Sequence, residues 1–383
     1  MFIWQSPDWP RFTWQEDRLL QPVAAARLRQ GRLLGGMARL GFDQKREAQL
    51  EALTEDVLKT AEIEGELLDP HSVRSSLARH LGVPHAATAP ADRRADGVVA
   101  MLLDATEHFD APLTAERLWG WQAALFPTGY SGVHRVRTGG WRDDREGPMQ
   151  VVSGPMGRQR VHYEAPPAGR LDAEMGAFLE WFNRGTEPEG LLRAGLAHLW
   201  FVTVHPFDDG NGRVARAVAD QALAQSEGAG QRFYSMSSQI RKERSAYYDM
   251  LERTQRGTLD VTEWLLWFLD CLSRAIEGAD ATAGRVLEKA DFWQRHAGTP
   301  LTARQKAVLN RLLDGFEGRL TTRKWAALGK CSIPTAQRDI NELVARGILA
   351  RNPGGSRNTS YAVAGLSLPA SATPPGSPPP SPA

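Results

Sequence analysis

The stretch HPFDDGNGRVAR, residues 205–216, narrows most sharply what this chain can fold into. It lies between an apolar segment of helical spacing, Gly190–Val204, and a second such segment running to about Gln225. The glycines of Gly210-Asn211-Gly212 let the backbone turn tightly and let a ligand approach its N–H groups. A Gly-rich turn at a helix start gathers free N–H groups on one spot, which suits phosphate oxygens. Arg213 and Arg216, at i and i+3, share a helix face. Two guanidinium forks over such a nest fit a polyphosphate better than a single phosphate. Asp209 precedes the nest, where a carboxylate beside phosphates commonly holds Mg²⁺. The unperturbed pKa of a histidine lets His205 accept a proton near neutral pH, as a general base needs. Phe207 is expected to anchor the loop in the core. A base beside a Mg²⁺–polyphosphate cradle implies nucleotidyl or phosphoryl transfer onto an acceptor hydroxyl. No Gly-Lys-Ser/Thr follows the glycines, so this is not a Walker A loop. A plain surface turn explains the Asp-Gly and Asn-Gly pairs, but not the histidine, phenylalanine and spaced arginines with them.

The rest of the 383 residues is long enough for two or three domains. A formal net charge of +1 excludes no partner class. Two cysteines far apart, Cys271 and Cys331, leave no disulfide framework or Cys-based zinc spacing and point to a reducing compartment. The start MFIWQSPDWPRFTW lacks the pattern of a secretory leader. No apolar run is long enough to span a bilayer, so no membrane association is expected and the location is read as cytoplasmic. Apolar spacing predicts helices through a region 1–107. Thr114 is placed to cap a helix beginning near Ala115, with Glu116 in its first turn. Gln150–Ser153 and Arg160–Tyr163 flank Gly154-Pro155-Met156-Gly157 and predict a hairpin. Helices are expected at Leu171–Asn183 and again over 234–296, where Trp264, Trp267 and Phe268 read as core. Trp4, Trp9 and Trp14 read as core or subunit-contact residues, a homodimer being a candidate assembly.

HPFDDGNGRVAR resembles the motif of the Fic (Fido) family, His-Pro-Phe-x-(Asp/Glu)-Gly-Asn-Gly-Arg-x-x-Arg, at every specified position. LAHLWFVTVHPF resembles the helix leading into that family's active loop, and the hairpin followed by Glu164-Ala165-Pro166-Pro167 resembles its target-holding flap. SAYYDMLERTQRGTLDVTEWLLWFL resembles the helices that close the family's core, so the similarity covers roughly residues 113–273. The implied fold is mainly α: a Fic-type helical core with a β-hairpin flap and a helical N-terminal region. The implied activity is protein AMPylation, with AMP moving from ATP to a Tyr, Thr or Ser hydroxyl of a target protein, or of the enzyme itself, and pyrophosphate released. On that resemblance His205 deprotonates the acceptor and Asp209 binds Mg²⁺. Gly210, Asn211 and Gly212 cradle the α- and β-phosphates, and Arg213 and Arg216 hold the β- and γ-phosphates. Tyr247, Tyr248, Gln255 and Val152 are the residues assigned to the nucleoside. Transfer of UMP, phosphocholine or phosphate is the alternative chemistry.

TAEIEG, residues 60–65, matches the family's inhibitory pattern (Ser/Thr)-x-x-x-Glu-(Gly/Asn) through Thr60, Glu64 and Gly65, on a helix expected at about 55–66. The resemblance implies that Glu64 pairs with Arg216, takes part of the γ-phosphate site and turns the α-phosphate away from in-line attack. As a sequence pattern alone, the same residues describe an exposed helix end with Gly65 as its cap.

Beyond a helical linker at 274–299 the character changes. Residues 301–363 hold eleven Lys and Arg against four Asp and Glu. Helices are expected at Arg304–Leu313, Thr322–Leu328 and Pro334–Arg346, then strands at Ile348–Arg351 and Thr359–Ala362. This order over 300–363 resembles a C-terminal winged helix-turn-helix. The resemblance puts Thr335, Gln337 and Arg338 where DNA base edges are read and Arg351 and Arg357 within reach of phosphates. Docking of a protein is the other use of such a module, and a DNA-binding regulator with a nucleotide-sensing core is the alternative reading of the whole chain. The last 15 residues contain seven prolines, so a disordered Pro-rich tail is expected over 364–383.

Overall fold

The computed structural model describes residues 1–364 apart from 39, 84–89, 91, 146, 155–157, 186, 314–317 and 353–358. The tail expected over 364–383 (except Ala364), the tip of the 150–164 hairpin and Arg357 therefore lie outside the described residues. The chain is mainly helical and divides into two compact units, Met1–Ala281 and Thr282–Ala383. Among the described residues no helix is long and apolar enough to cross a membrane.

The first unit opens with one 3-10 turn, Ile3–Gln5, then α1 (Glu16–Ala38), α2 (Phe42–Ile63), α3 (Pro70–His80) and α4 (Arg93–Glu107). α5 (Ala115–Leu125) starts where expected, the Thr114 hydroxyl accepting the Arg117 N–H at 3.2 Å. Two antiparallel pairs follow: β1 (Tyr130–Ser131) with β2 (His134–Arg135), and β3 (Gln150–Ser153) with β4 (Arg160–Glu164). Six helices then follow: α6 (Leu171–Asn183), α7 (Gly190–Val204), α8 (Asn211–Glu227), α9 (Met236–Lys242), α10 (Arg244–Gln255) and α11 (Thr262–Arg295).

α7 is apolar on every side, and the fold puts it in the middle: Leu191 through Val204 are all buried. α8 returns beside it, with Arg213 through Ala224 buried. Gly195 lets α11 press close, since a Cβ there would lie 3.1 Å from both Leu265 Cδ2 and Phe268 Cδ1. The Trp264 indole N–H donates to the Gly195 carbonyl at 2.8 Å, and Trp264 and Phe268 are core as expected. Trp4 and Trp9 bind their own chain. Trp4 Nε1 donates to Glu164 O and Trp9 Nε1 to Glu174 Oε2, each at 2.7 Å. The opening strap thus lies over the end of β4 and over α6, and Thr13 bridges to Asp260.

The expected domain end at 273 lies inside α11, whose apolar stripe continues through the buried Ile276. The division between the two units falls within the same helix. The second unit continues with α12 (Ala303–Leu313), α13 (Thr322–Leu328), α14 (Ile333–Ala345) and the antiparallel pair β5 (Leu349–Arg351) and β6 (Tyr361–Val363). Trp325, Phe292, Val308, Ile340 and Leu343 form its core. Thr321 and Ser332 cap α13 and α14 by accepting the N–H groups of Lys324 and Thr335.

Candidate active site

The site is built at the α7–α8 junction. Pro206 cannot extend α7, and His205 ends it in the left-handed region, φ 52°, with its N–H still bonded to Phe201 O at 3.0 Å. The ring folds back so that Nδ1 lies 2.9 Å from Val202 O. A carbonyl only accepts, so Nδ1 carries the hydrogen and Nε2 keeps the lone pair. Burial pushes the imidazole below its ordinary value and Arg142 adds to that, against the opposing pull of the Val202 contact, Glu64 and Asp209. His205 is therefore a neutral base at pH 7, with its basic nitrogen fixed.

The loop after it is closed by a residue expected mainly to cradle phosphate. The Asn211 side chain accepts the Phe207 N–H at 2.9 Å and donates to Phe207 O at 2.7 Å. What Asn211 offers an anion is its backbone N–H. Phe207 is fully buried against Trp141 and Phe201, as expected. Gly210 has φ +89° with Phe126 and Leu125 about it, so a side chain has neither the conformation nor the room there. The first intrahelical bond of α8 is Val214 N–H to Gly210 O, 3.0 Å, which leaves the N–H groups of Asn211, Gly212 and Arg213 ahead of the ladder at the positive end of the helix.

A buried guanidinium that the sequence reading passed over holds this loop in place. Arg142 donates to His205 O at 2.8 Å, to Pro166 O at 2.5 Å and to Asp144 at 2.9 Å. It ties the His205 turn to the chain leaving the β3–β4 hairpin. Nothing in Gly139-Gly140-Trp141-Arg142 marks this role without the fold. Ser131, on β1, was also missed: its hydroxyl donates to Asp209 Oδ2 at 2.6 Å, while Asp209 Oδ1 accepts the Gly210 N–H at 2.5 Å. The Asp209 carboxylate is otherwise open, 43% exposed.

Both arginines project from α8 and both meet acids from the end of α2. Arg216, 3% exposed, donates through Nε to Thr60 Oγ1 at 2.7 Å and through Nη2 to Glu64 Oε1 at 2.7 Å and Thr60 O at 3.1 Å. Burial would lower its pKa; the Glu64 carboxylate, Tyr247 and Tyr248 together outweigh that and leave it raised. Arg213 donates to Glu66 Oε2 at 2.7 Å and lies over the Phe126 ring. Glu64 is the C-cap of α2, just past its last helical residue, and Gly65 follows at φ +82°. A Cβ on Gly212 would overlap Glu64 Oε1, so this carboxylate sits against the mouth of the N–H nest.

The residues assigned to the nucleoside are divided. Val152 stands on the flap, 40% exposed. Tyr248 is half-buried beside Arg244. Tyr247, 1% exposed, is enclosed by Trp264 and Trp267 with its hydroxyl 2.9 Å from His198 Nε2, and Gln255 is buried with its amide 3.3 Å from Thr203 Oγ1. Both stand behind the cradle and present almost no surface to a ligand. In the second unit Arg338 is exposed, Gln337 bonds Thr322 and Asn341, and Arg351 bonds Thr359.

The cradle suits a polyphosphate. Arg216 Nη1 and Arg213 Nε are buried and have no hydrogen-bond partner. Among the described residues no group of three His, Cys, Asp or Glu forms a protein-only metal site. A cation at Asp209 would therefore draw its other ligands from phosphates, as Mg²⁺ commonly does.

Residues 112–223 match the model of the Fic/DOC family, and residues 2–83 match that of a domain of unknown function, DUF4172. The chain is 31% identical over 116 residues to a protein adenylyltransferase Fic of Culex quinquefasciatus, an alignment covering 29% of this chain and 21% of that protein. It is 33% identical over 121 residues to the protein of the same name from Nematostella vectensis, covering 30% and 26%. The chain thus spans about a quarter or less of these curated relatives. A crystal structure of a Fic family protein from Desulfovibrio desulfuricans G20 has the same fold, with TM-score 0.55, 21% identity, and coverage of 94% of this chain and 99% of that one.

Proposed function

We propose that this chain, through its Fic/DOC domain, is a protein adenylyltransferase held silent by Glu64. The observation that carries the reading is the meeting, at the start of α8, of three things: an open neutral Nε2 on His205, a nest of free N–H groups, and an Arg216 engaged by a carboxylate where a phosphate would bind. His205 Nε2 takes the proton of a Tyr, Thr or Ser hydroxyl as its oxygen attacks the α-phosphorus of ATP. The bond from that phosphorus to the bridging oxygen breaks and pyrophosphate leaves. The N–H groups of Asn211, Gly212 and Arg213 hold phosphate oxygens, and the two guanidinium groups hold the departing end. Asp209 would hold Mg²⁺, which neutralises phosphate charge when bound. With Glu64 on Arg216, the triphosphate cannot settle with its α-phosphorus in line. Mass spectrometry after incubation with Mg²⁺ and ATP tests this on wild type, Glu64→Gly and Glu64→Gly/His205→Ala. AMP adducts on Glu64→Gly that the double variant lacks support it. ATP binding without transfer in any variant would favour a nucleotide sensor or another donor.

A second reading concerns the second unit, which we propose binds duplex DNA. Within 301–363 the described carboxylates are committed: Asp339 pairs with Arg304 at 2.8 Å and Glu342 with Arg346 at 2.6 Å. Arg338 and Lys330 are exposed and add positive charge to the unit's surface. α14 buries Ala336, Ile340 and Leu343, which turns Arg338 and Asn341 outward, side chains suited to guanine and adenine edges. Arg338→Ala should relax sequence preference by about 1–3 kcal/mol at one position, and Arg351→Ala should lower the salt slope by about one. Fluorescence anisotropy of the full chain on a labelled duplex, over a salt series, reads both. Binding that is absent at low salt would end this reading and favour a protein partner.

A further inference from the structure

We propose that Glu66 is a second anion guarding the cradle, distinct from Glu64, and that it sets which nucleotides the resting protein accepts by the number of their phosphates. The inference rests on the reading of the α8 N-terminus as a polyphosphate site. The sequence pattern that marks Glu64 stops at Gly65, and nothing in it assigns Glu66 a role.

The geometry is specific. After α2 ends, Gly65 at φ +82° reverses the chain, and the Glu66 N–H returns to Ala61 O at 3.0 Å. The backbone of Glu66 is thus pinned one turn from Thr60, and its carboxylate is delivered to the same end of α8 as that of Glu64. Glu66 Oε2 is 2.7 Å from Arg213 Nη1, whereas the Asp209 carboxylate stands 3.9 Å from Arg213. Arg213 is 6% exposed, with the Phe126 ring on one face, so Glu66 is its close charged partner. Two carboxylates two residues apart therefore engage two arginines three residues apart on one helix face. They occupy the positions of successive phosphates.

Arg213 is in the first turn of α8, beside the N–H nest, and Arg216 is one turn deeper. A nucleoside monophosphate needs only the nest, where it meets the Glu64 carboxylate over Gly212 but not Glu66. A diphosphate must displace Glu66 from Arg213. A triphosphate must displace both acids. Replacing Glu64 alone leaves Arg213 occupied, so its release is partial.

Titration calorimetry of AMP, ADP and ATP with Mg²⁺, on wild type, Glu66→Gln, Glu64→Gln and the double variant, tests this. Glu66→Gln should tighten ADP and ATP about tenfold, the scale of one charge-assisted contact, and leave AMP within about twofold. Glu64→Gln should tighten all three nucleotides, ATP most, because Glu64 stands over Gly212 as well as on Arg216. The double variant should exceed either single variant for ATP. Glutamine keeps an acceptor for Arg213, and Glu66→Ala should give the same ranking; melting curves confirm that both are folded. If Glu64→Gln gains ATP affinity while Glu66→Gln leaves ADP unchanged, or tightens AMP equally, the Glu66 assignment is overturned and the adenylyltransferase reading stands. If the double variant binds no nucleotide, the cradle reading falls and this inference with it.

Discussion

Glu64→Gly should raise AMP transfer by at least about 100-fold over wild type, since displacement of a reacting group by about 1 Å costs a rate factor of that order. The gain comes from one ion pair. In the resting protein Arg216 Nη2 is 2.7 Å from Glu64 Oε1, and that carboxylate also fills the space over Gly212. Removing it frees the guanidinium and the mouth of the nest together. The variant should remain folded, because Arg216 keeps Thr60 Oγ1 and the Thr60 carbonyl as acceptors. The lost contact is 30% exposed on the Glu64 side, so the stability cost should be no more than about 1–2 kcal/mol after solvent screening. Thr60→Val provides the contrast. It removes one acceptor from Arg216 without opening the nest, so transfer should stay near the wild-type level. Equal activation by the two variants would mean that a loosened α2, not the Glu64 carboxylate, controls the site. Adduct formation by intact-mass measurement over time, with melting curves alongside, decides between them.

The parts of this site that could be read from the sequence are those a single segment specifies. An apolar run, a histidine before proline, two glycines and two arginines at i and i+3 fix the α7–α8 junction with little help from the rest of the chain. What could not be read depends on the meeting of distant segments. Glu66 becomes a partner of Arg213 only because α2 ends beside α8 and Gly65 reverses the chain. Arg142 becomes the tie between loop and flap only when His205 O and Pro166 O converge on it. Asn211 was assigned by its position in the turn, but closing the loop on Phe207 commits its side chain. Strand limits in the second unit shifted for a local reason. Gly347, φ +70°, ends α14, and the Ile348 N–H caps that helix on Leu343 O at 2.9 Å, so the strand begins one residue later than expected. Tyr247 shows how helical spacing misleads: on α10 it could face either the nucleotide or the core, and the wall of Trp264 and Trp267 keeps it in the core.

In the Glu64→Gly background, His205→Ala should cut transfer by about 10²–10⁴-fold while leaving ATP affinity nearly unchanged, the span typical of losing a general base. The sign of the pH dependence follows from the site. Burial disfavours the imidazolium, so the pKa of His205 lies below its ordinary 6.5 and the basic form is present above that folded-state value. NMR titration of the ring proton in Glu64→Gly should give a midpoint below 6.5, with the rate falling only on the acid side of it. Removing Glu64 strengthens this, because its carboxylate is one of the groups favouring the charged ring. A midpoint at or above 6.5 would mean that the ring is solvated and held by Asp209 instead. His198 supplies an internal comparison. It is also neutral at pH 7, pushed down to about 3 by burial and by Arg216. Its Nε2, however, is spent on the Tyr247 hydroxyl at 2.9 Å, and its ring is 1% exposed. Two neutral imidazoles thus stand on one helix and its cap, and what their Nε2 atoms meet separates their roles. Only His205, with Nδ1 given to Val202 O, turns a free lone pair toward the loop. His198→Gln should therefore leave the pH profile of transfer in place. It should reduce instead the loss of stability on acidification, which in the parent begins below 6.5, where the unfolded ring takes up a proton that the folded ring refuses until about 3.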